Sequence, residues 1–515
     1  MKGQDWASDH RRLKLHWFLI LVVALGAFAV RAPRLALRPM HTDEAVHADN
    51  FQRTFLAGNP YEYDPHEYHG PTLNFFTLIP ARLSGANTYP QLTEGILRIV
   101  PVVFGTILVL LSLLLVRGLG PAALPAAALA ALSPALIFYS RYYIQEMLLV
   151  CFTFGVIACG YRYSRTRALP WAIATGVFAG LMHATKETCI IAFGALGLAL
   201  IVLQRGRLVR ALGRPLPLIL GVAAALGVSA LFYSSFLRHP RGVLDSYLTY
   251  ATYLSRGVGE NTVHVQPWHY YLQMLVFARY FDGPVWTEGW IVLLALVGML
   301  AAVKGDRLGL FDPRLVRFLA LYTASMTAAY SAIPYKTPWC LLGFLHGMIL
   351  LAGVGAATLL AWAKGRARIA IAVLLPVVAG HLAFQAYRAN FVYEADSRNP
   401  YVYAHPTREV FTIAEKVREY VGIRGLGQSE ATPVQVAVDG NDYWPLPWYL
   451  RGLEVEWRSD VSADIQPLIL ISGKLEEALT HRIYVDTPPG RRQMYLYLFD
   501  APYYLWFRPG IKMIG

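Results

Sequence analysis

Long apolar runs broken by short polar segments fill this chain as far as about residue 386. They fall near 15–31, 96–116, 121–139, 144–160, 171–185, 188–203, 215–236, 288–303, 315–333, 338–363 and 369–386. The pattern predicts eleven apolar helices, several shorter than the ~20 residues a helix needs to cross a bilayer upright. Beyond 387 the pattern changes. Arg408–Tyr420 has the period of an amphipathic helix, and Val434–Val438, Leu453–Trp457, Leu468–Ile471 and Arg482–Val485 read as short strands. Lys474–Leu479 reads as a further helix. The expected organisation is a membrane domain over 1–386 and a small α/β domain over 387–515.

Composition agrees with a bilayer as solvent. Only 15% of residues are charged and 56% are hydrophobic, whereas a soluble domain carries about a quarter charged residues. The mean hydropathy is +0.39. The formal charge of +13 would raise nucleic-acid binding in a soluble protein. Here no zinc-finger spacing, basic helix or aromatic–basic strand pair supports that, and the basic residues sit mainly in short loops. The four cysteines, Cys151, Cys159, Cys189 and Cys340, lie in apolar stretches and read as small buried hydrophobes.

Those loop charges set the expected topology. Lys2, Arg11, Arg12 and Lys14 precede the first run, and Arg162, Arg165 and Arg167 precede the fifth. Arg205, Arg207, Arg210 and Arg214 precede the seventh, and Lys364, Arg366 and Arg368 the last. Cytoplasmic loops are enriched in Lys and Arg, so the N-terminus is expected inside and the 387–515 domain outside a plasma (inner) membrane. The first run is read as a span, not a cleaved signal peptide. Two long outer loops, 31–95 and 237–287, then put the polar chemistry on the outer face.

The first outer loop opens with His41-Thr42-Asp43-Glu44-Ala45-Val46-His47. A carboxylate near the low-dielectric boundary can act as a base toward a hydroxyl, and on a helix Asp43 and Glu44 share a face with His47. The competing reading is a solvated, N-capping acidic turn. The stretch from Tyr61 to Pro71 is aromatic, acidic and histidine-rich, suited either to sugars or to an interfacial belt. His66 and His69 have a metal-like spacing without a clear set of further ligands, so no metal or other cofactor is expected. Ser140-Arg141 with Glu146, and His183-Ala184-Thr185-Lys186-Glu187-Thr188, lie at outer span edges. A Lys186–Glu187 pair between apolar helices is either a structural ion pair or part of a site, and a lysine there suits a lipid phosphate. Tyr335-Lys336 adds a second lysine between spans.

At these residues the chain resembles the GT-C-type, lipid-dependent glycosyltransferases, among them the protein O-mannosyltransferases. The resemblance rests on Asp43-Glu44 after the first span, His69-Gly70-Pro71-Thr72-Leu73, Leu97-Arg98-Ile99-Val100-Pro101 with Phe104-Gly105, Ser140-Arg141 with Glu146, and Gly180-Leu181 with Thr185-Lys186. Tyr335-Lys336-Thr337-Pro338-Trp339 and Asp442–Arg451 look typical of the bacterial and archaeal flippase-activity-associated subfamily. The fold so implied is a GT-C-like polytopic helical membrane protein with about eleven spans and a small C-terminal extracytoplasmic α/β domain.

The resemblance implies transfer of a sugar, of hexosyl or mannosyl type, from a polyprenyl-phosphate donor to an extracytoplasmic glycan or protein acceptor. Asp43 would be the base and Glu44 would orient the site. Lys186, Arg141 and Lys336 would hold the donor phosphate. His47, His69, Glu146, His183 and Tyr335 would contact substrate. A transporter or accessory for flipping lipid-linked sugars is the alternative; no inverted repeat or paired broken helices favour it. A metal-dependent oligosaccharyltransferase-like enzyme and a non-enzymatic scaffold come after. Trp444–Arg451 reads either as a recognition edge or as the core of the outer domain.

Overall fold

The computed structural model describes residues 2–59, 61–65, 69–204, 215–258, 264–305, 309–423, 434–441, 443–461, 468–475, 477–479, 495–498 and 513–514. The chain folds as two compact units. The first comprises Met1–Leu35, Pro60–Pro80 and Arg98–Val392; the second comprises Ala36–Asn59, Ala81–Leu97 and Tyr393–Gly515.

Every apolar segment is helical. The helices are α1 (Lys2–Arg31), α2 (Thr42–Phe51), α3 (Thr72–Leu83), α4 (Glu94–Leu110), α5 (Ser112–Leu119), α6 (Ala123–Leu132) and α7 (Pro134–Ser140). They continue with α8 (Glu146–Thr166), α9 (Leu169–His183), α10 (Cys189–Gln204), α11 (Pro215–Tyr233) and α12 (Gly242–Val258). Next come α13 (Tyr270–Val276), α14 (Gly289–Lys304), α15 (Pro313–Ala332), α16 (Leu342–Trp362) and α17 (Gly365–Phe391). Among the described residues, six helical stretches are long and apolar enough to cross a membrane, and α9, α10 and α14 are shorter apolar helices. This is a multi-pass membrane protein.

Burial orders these helices within the first unit. The α16 span is 89% buried and α11 only 6%, so α16 is central and α11 presents its apolar surface outward. Water-facing apolar surface of that kind has no place in a soluble fold, whereas lipid solvates it. Small residues allow the close crossings: a Cβ on Gly355 of α16 would collide with the Leu294 carbonyl of α14, and one on Gly176 of α9 with the Gly221 carbonyl of α11. The predicted 121–139 segment breaks at Ser133, because Pro134 cannot continue α6 and instead opens α7. Ser133 Oγ and the Ala135 N–H both donate to the fully buried Glu288 carboxylate, at 2.5 and 2.9 Å. That carboxylate fixes the start of the short helix leading to Arg141.

The helix beginning at Gly365 runs through the composition change at 387 and ends at Phe391. In the second unit lie α18 (Glu409–Ile423), α19 (Leu446–Tyr449) and five strands: β1 (Val434–Ala437), β2 (Val455–Arg458), β3 (Leu468–Ser472), β4 (Tyr495–Leu498) and β5 (Met513–Ile514). The sheet order is β2-β1-β3-β4-β5, with β5 alone antiparallel. Val434 of β1 stands between Val455 and Leu468. Both β1 and β3 are buried along their whole length, which accounts for their mostly apolar residues. The predicted Leu453–Trp457 strand lies slightly later, Lys474–Leu479 is split between a 3-10 turn and a short helical stretch, and Arg482–Val485 lies outside the described residues.

Candidate functional site

In the first unit the polar groups meet at the ends of α8, α9 and α10. Lys186 Nζ is bonded to Glu146 Oε1, and both side chains are buried. Glu187 accepts from His69 Nδ1 at 3.0 Å. Neighbouring residues do not share a face, so the two reach different partners. Burial pushes the Glu187 carboxyl up, but the bonded His69 ring and the nearby Lys186 ammonium outweigh it and hold the carboxyl at about 2. The 69–72 segment docks on the α9–α10 connection. Thr72 Oγ1 lies 2.8 Å from Thr185 Oγ1, and the Thr72 N–H donates to the Ala184 carbonyl at 3.2 Å. A side chain at Gly70 would collide with that same carbonyl, which explains the glycine there.

Glu146 lines a small cleft of about 20 Å³ between α8, α10, α15 and α16. The cleft is otherwise mostly apolar, with Leu149, Val150, Ala192, Met326 and Leu342 beside Thr153, Thr188, Tyr330, Trp339 and Cys340. Glu146 Oε2 is buried and accepts no hydrogen bond among the described residues. A buried acceptor without a donor is costly, so this oxygen marks a place where a ligand hydroxyl would be stabilised. Tyr330 was missed by sequence reasoning because it sits inside an apolar span and carries no motif.

The motif arginines have other work. Arg141 Nη1 donates to the Arg31 and Pro33 carbonyls, each at 2.6 Å, and Nη2 to the Arg34 carbonyl at 3.1 Å. Its guanidinium lies 4.6 Å from the Phe391 ring centre. Arg98 Nη1 donates to the Leu35 carbonyl at 2.6 Å, and Arg31 Nε to Ser140 Oγ at 3.1 Å. A Cβ at Gly105 would collide with that serine oxygen. The arginine and Phe-Gly motifs therefore fasten the chain leaving α1.

Lys336 is buried, and its ammonium donates to the carbonyls of Ile333 and Gln266. Desolvation lowers its pKa. Tyr335 is largely exposed, with its ring 4.8 Å from that of His264. His183 ends α9, with Nδ1 2.7 Å from Ser229 Oγ and its ring 5.3 Å from Tyr233. Among the described residues no three His, Cys, Asp or Glu side chains gather as a metal site requires; His66 lies outside them.

In the second unit Asp43 and Glu44 begin α2. The Asp43 N–H donates to His41 Nδ1 and the His41 N–H to Glu44 Oε2, both at 3.0 Å, forming a reciprocal cap. Glu44 is fully buried, with Arg38 Nη2 3.9 Å from its Oε1. The Asp43 side chain is 45% exposed. Of the acidic pair, Glu44 is buried in the helix cap, whereas the Asp43 side chain is half-exposed with Oδ1 3.8 Å from His41 Nδ1. His47 is buried on the next turn.

Burial lowers the His41 pKa below 6.5, although Asp43 and Glu44 oppose it; Arg38 adds to the lowering. The neutral ring suits the cap, because Nδ1 must accept. In the unfolded chain His41 binds a proton below 6.5 while the folded form resists it. The stability this ring contributes is therefore complete above 6.5 and declines as pH falls below it. Amide exchange in α2, corrected for intrinsic rate, should be faster at about pH 5.5 than at about pH 7.5; equal protection would contradict this account of the cap.

A polytopic helical membrane unit of this architecture is a GT-C fold. A crystal structure of ArnT from Cupriavidus metallidurans bound to undecaprenyl phosphate matches with a TM-score of 0.57 at 15% identity, over 93% of this chain and 92% of that one. The apo state of the same protein matches with a TM-score of 0.59 at 15% identity, over 96% and 93%. Residues 20–233 match the model of the family described as dolichyl-phosphate-mannose-protein mannosyltransferase. The chain thus shares the fold of these solved structures, and its residues 20–233 are similar to that family. No curated protein matches.

Proposed function

We propose that this protein is a glycosyltransferase that takes a sugar from a polyprenyl-phosphate carrier and passes it to a hydroxyl on an extracytoplasmic acceptor. One observation carries the reading: Glu146, paired with the buried Lys186, lines a small and otherwise mostly apolar cleft, and its second carboxylate oxygen has no donor among the described residues. A lysine ammonium is a compact point charge for a phosphate. The undecaprenyl phosphate bound in the ArnT structure and the dolichyl-phosphate-mannose donor in the matched family's description support a lipid-phosphate donor.

In this reaction the acceptor oxygen attacks the anomeric carbon, and its proton passes to the Asp43 carboxylate. The bond from that carbon to the phosphate oxygen breaks, and the lipid phosphate leaves with the bonding electrons. Lys186 neutralises the charge on the leaving phosphate as it grows. Glu146 Oε2 accepts from a sugar hydroxyl. Arg141 and Lys336, already committed to backbone carbonyls, shape the site instead of gripping phosphate. The loop charges support an N-terminus in the cytoplasm and chemistry on the outer face.

Reconstituted vesicles carrying a polyprenyl-phosphate hexose with a radiolabelled sugar test the reading against transport. With a membrane extract as acceptor source, label should move to a product that no longer extracts with the lipid. Labelled lipid crossing the bilayer without any such product would overturn the enzyme reading and favour flipping.

A further inference from the structure

The second unit joins residues that are far apart in the chain, and its contacts converge on the start of α2. The Met40 N–H, three positions before Asp43, donates to the Tyr449 hydroxyl at 2.6 Å. The fully buried His405 ring lies 5.0 Å from the ring of His41, the residue that caps α2. Tyr449 is itself held firmly: it is buried in α19, its carbonyl accepts from Arg418 at 2.5 Å, and Phe411 of α18 packs edge-on at 5.5 Å.

A second set of contacts braces α19 from the other side. Trp448 Nε1 donates to Glu94 at 2.8 Å. The Arg451 guanidinium stacks 3.9 Å from the Trp448 ring centre and donates to the Leu92 carbonyl at 2.9 Å. Segments from three parts of the chain thus form one cluster around the short 446–449 helix. Leu446, Trp448, Tyr449 and Leu450 are all buried, so the 444–451 stretch is core and bracket, not an open recognition edge.

The physical need is plain. Helix α2 has only ten residues, and a helix of that length is marginal on its own. Its reactive carboxylate stands in the first turn, the turn most prone to fray. We infer that the C-terminal part of the chain is a clamp for the acidic loop, with Tyr449 and His405 as positioning residues that fix the α2 N-terminus and so aim Asp43. The clamp assigns a role within the reaction to Tyr449, His405 and the described residues packed around them, and rests on the reading of Asp43 as its base. It requires no ligand in the C-terminal sheet. Misplacing a reacting group by about 1 Å costs on the order of 10²-fold in rate, so loss of one fixed hydrogen bond is expected to register in product.

Tyr449→Phe in the full-length protein tests this, since it removes one hydroxyl and keeps the ring. Three readouts are taken together: amide exchange over 36–51, binding of undecaprenyl phosphate by native mass spectrometry, and the envelope glycan profile of a gene-deleted host carrying the variant. The expected result is faster exchange confined to 36–51, lipid binding within about twofold of the parent, and product lowered roughly tenfold or more. His405→Ala should give the same triad. A general folding defect would lower lipid binding as well, so the variant with intact binding decides. Unchanged exchange over 36–51, or loosened exchange with undiminished product, would overturn the clamp. Full product from Asp43→Asn in the same host would remove the catalytic reading instead, leaving the exchange result to judge the clamp on its own.

Discussion

Asp43→Asn is expected to lower sugar transfer by ~10²–10⁴-fold, the range that general-base catalysis contributes. The change keeps size and polarity while removing the group that takes the acceptor proton. It should leave the fold intact, because the Asp43 side chain is half-exposed and the cap is made by its backbone N–H. Stability should stay within about 0.5 kcal/mol of the parent, as for other surface substitutions. Glu44→Gln should behave differently. That side chain is fully buried, accepts the His41 N–H and faces Arg38, so its loss acts through the helix start. Glycan profiles of a complemented deletion strain, with melting curves of the purified variants, separate the two.

The second large effect is at Lys186. Lys186→Met leaves Glu146 as a buried carboxylate without its cation, and breaking a buried pair in this way costs about 3–5 kcal/mol. Loss of activity in that variant alone would therefore be ambiguous. The paired change Lys186→Met with Glu146→Gln removes both charges and should recover most of the stability. Binding of undecaprenyl phosphate should stay lost in both. Recovery of lipid binding together with stability in the double variant would mean that Lys186 serves the fold and another group holds the phosphate.

How far the sequence was legible follows from the range of each interaction. Apolar helices announce themselves locally, so all the predicted spans are helical, and β1 and β3 are visible as short, mostly apolar runs because both their faces are covered. Partnerships across the fold are another matter. Lys186 and Glu187 are neighbours and suggest a pair, yet one reaches Glu146 and the other His69. Arg141 has the charge of a phosphate ligand, but only the folded chain brings the carbonyls of residues 31, 33 and 34 to its guanidinium. The acidic pair looked like one functional unit, and the cap divides it, with Glu44 buried and Asp43 half-exposed. The bond from Met40 to Tyr449 spans most of the chain, so no local pattern signals it.

The account depends above all on where a lipid phosphate goes. The structure of the protein in a lipid nanodisc with undecaprenyl phosphate would answer this at a resolution that resolves side chains. The expected result is a phosphate oxygen about 2.7–3.2 Å from Lys186 Nζ, with the lysine drawn from Glu146 toward it. Phosphate bound away from Lys186, with the Lys186–Glu146 pair undisturbed, would contradict the proposal.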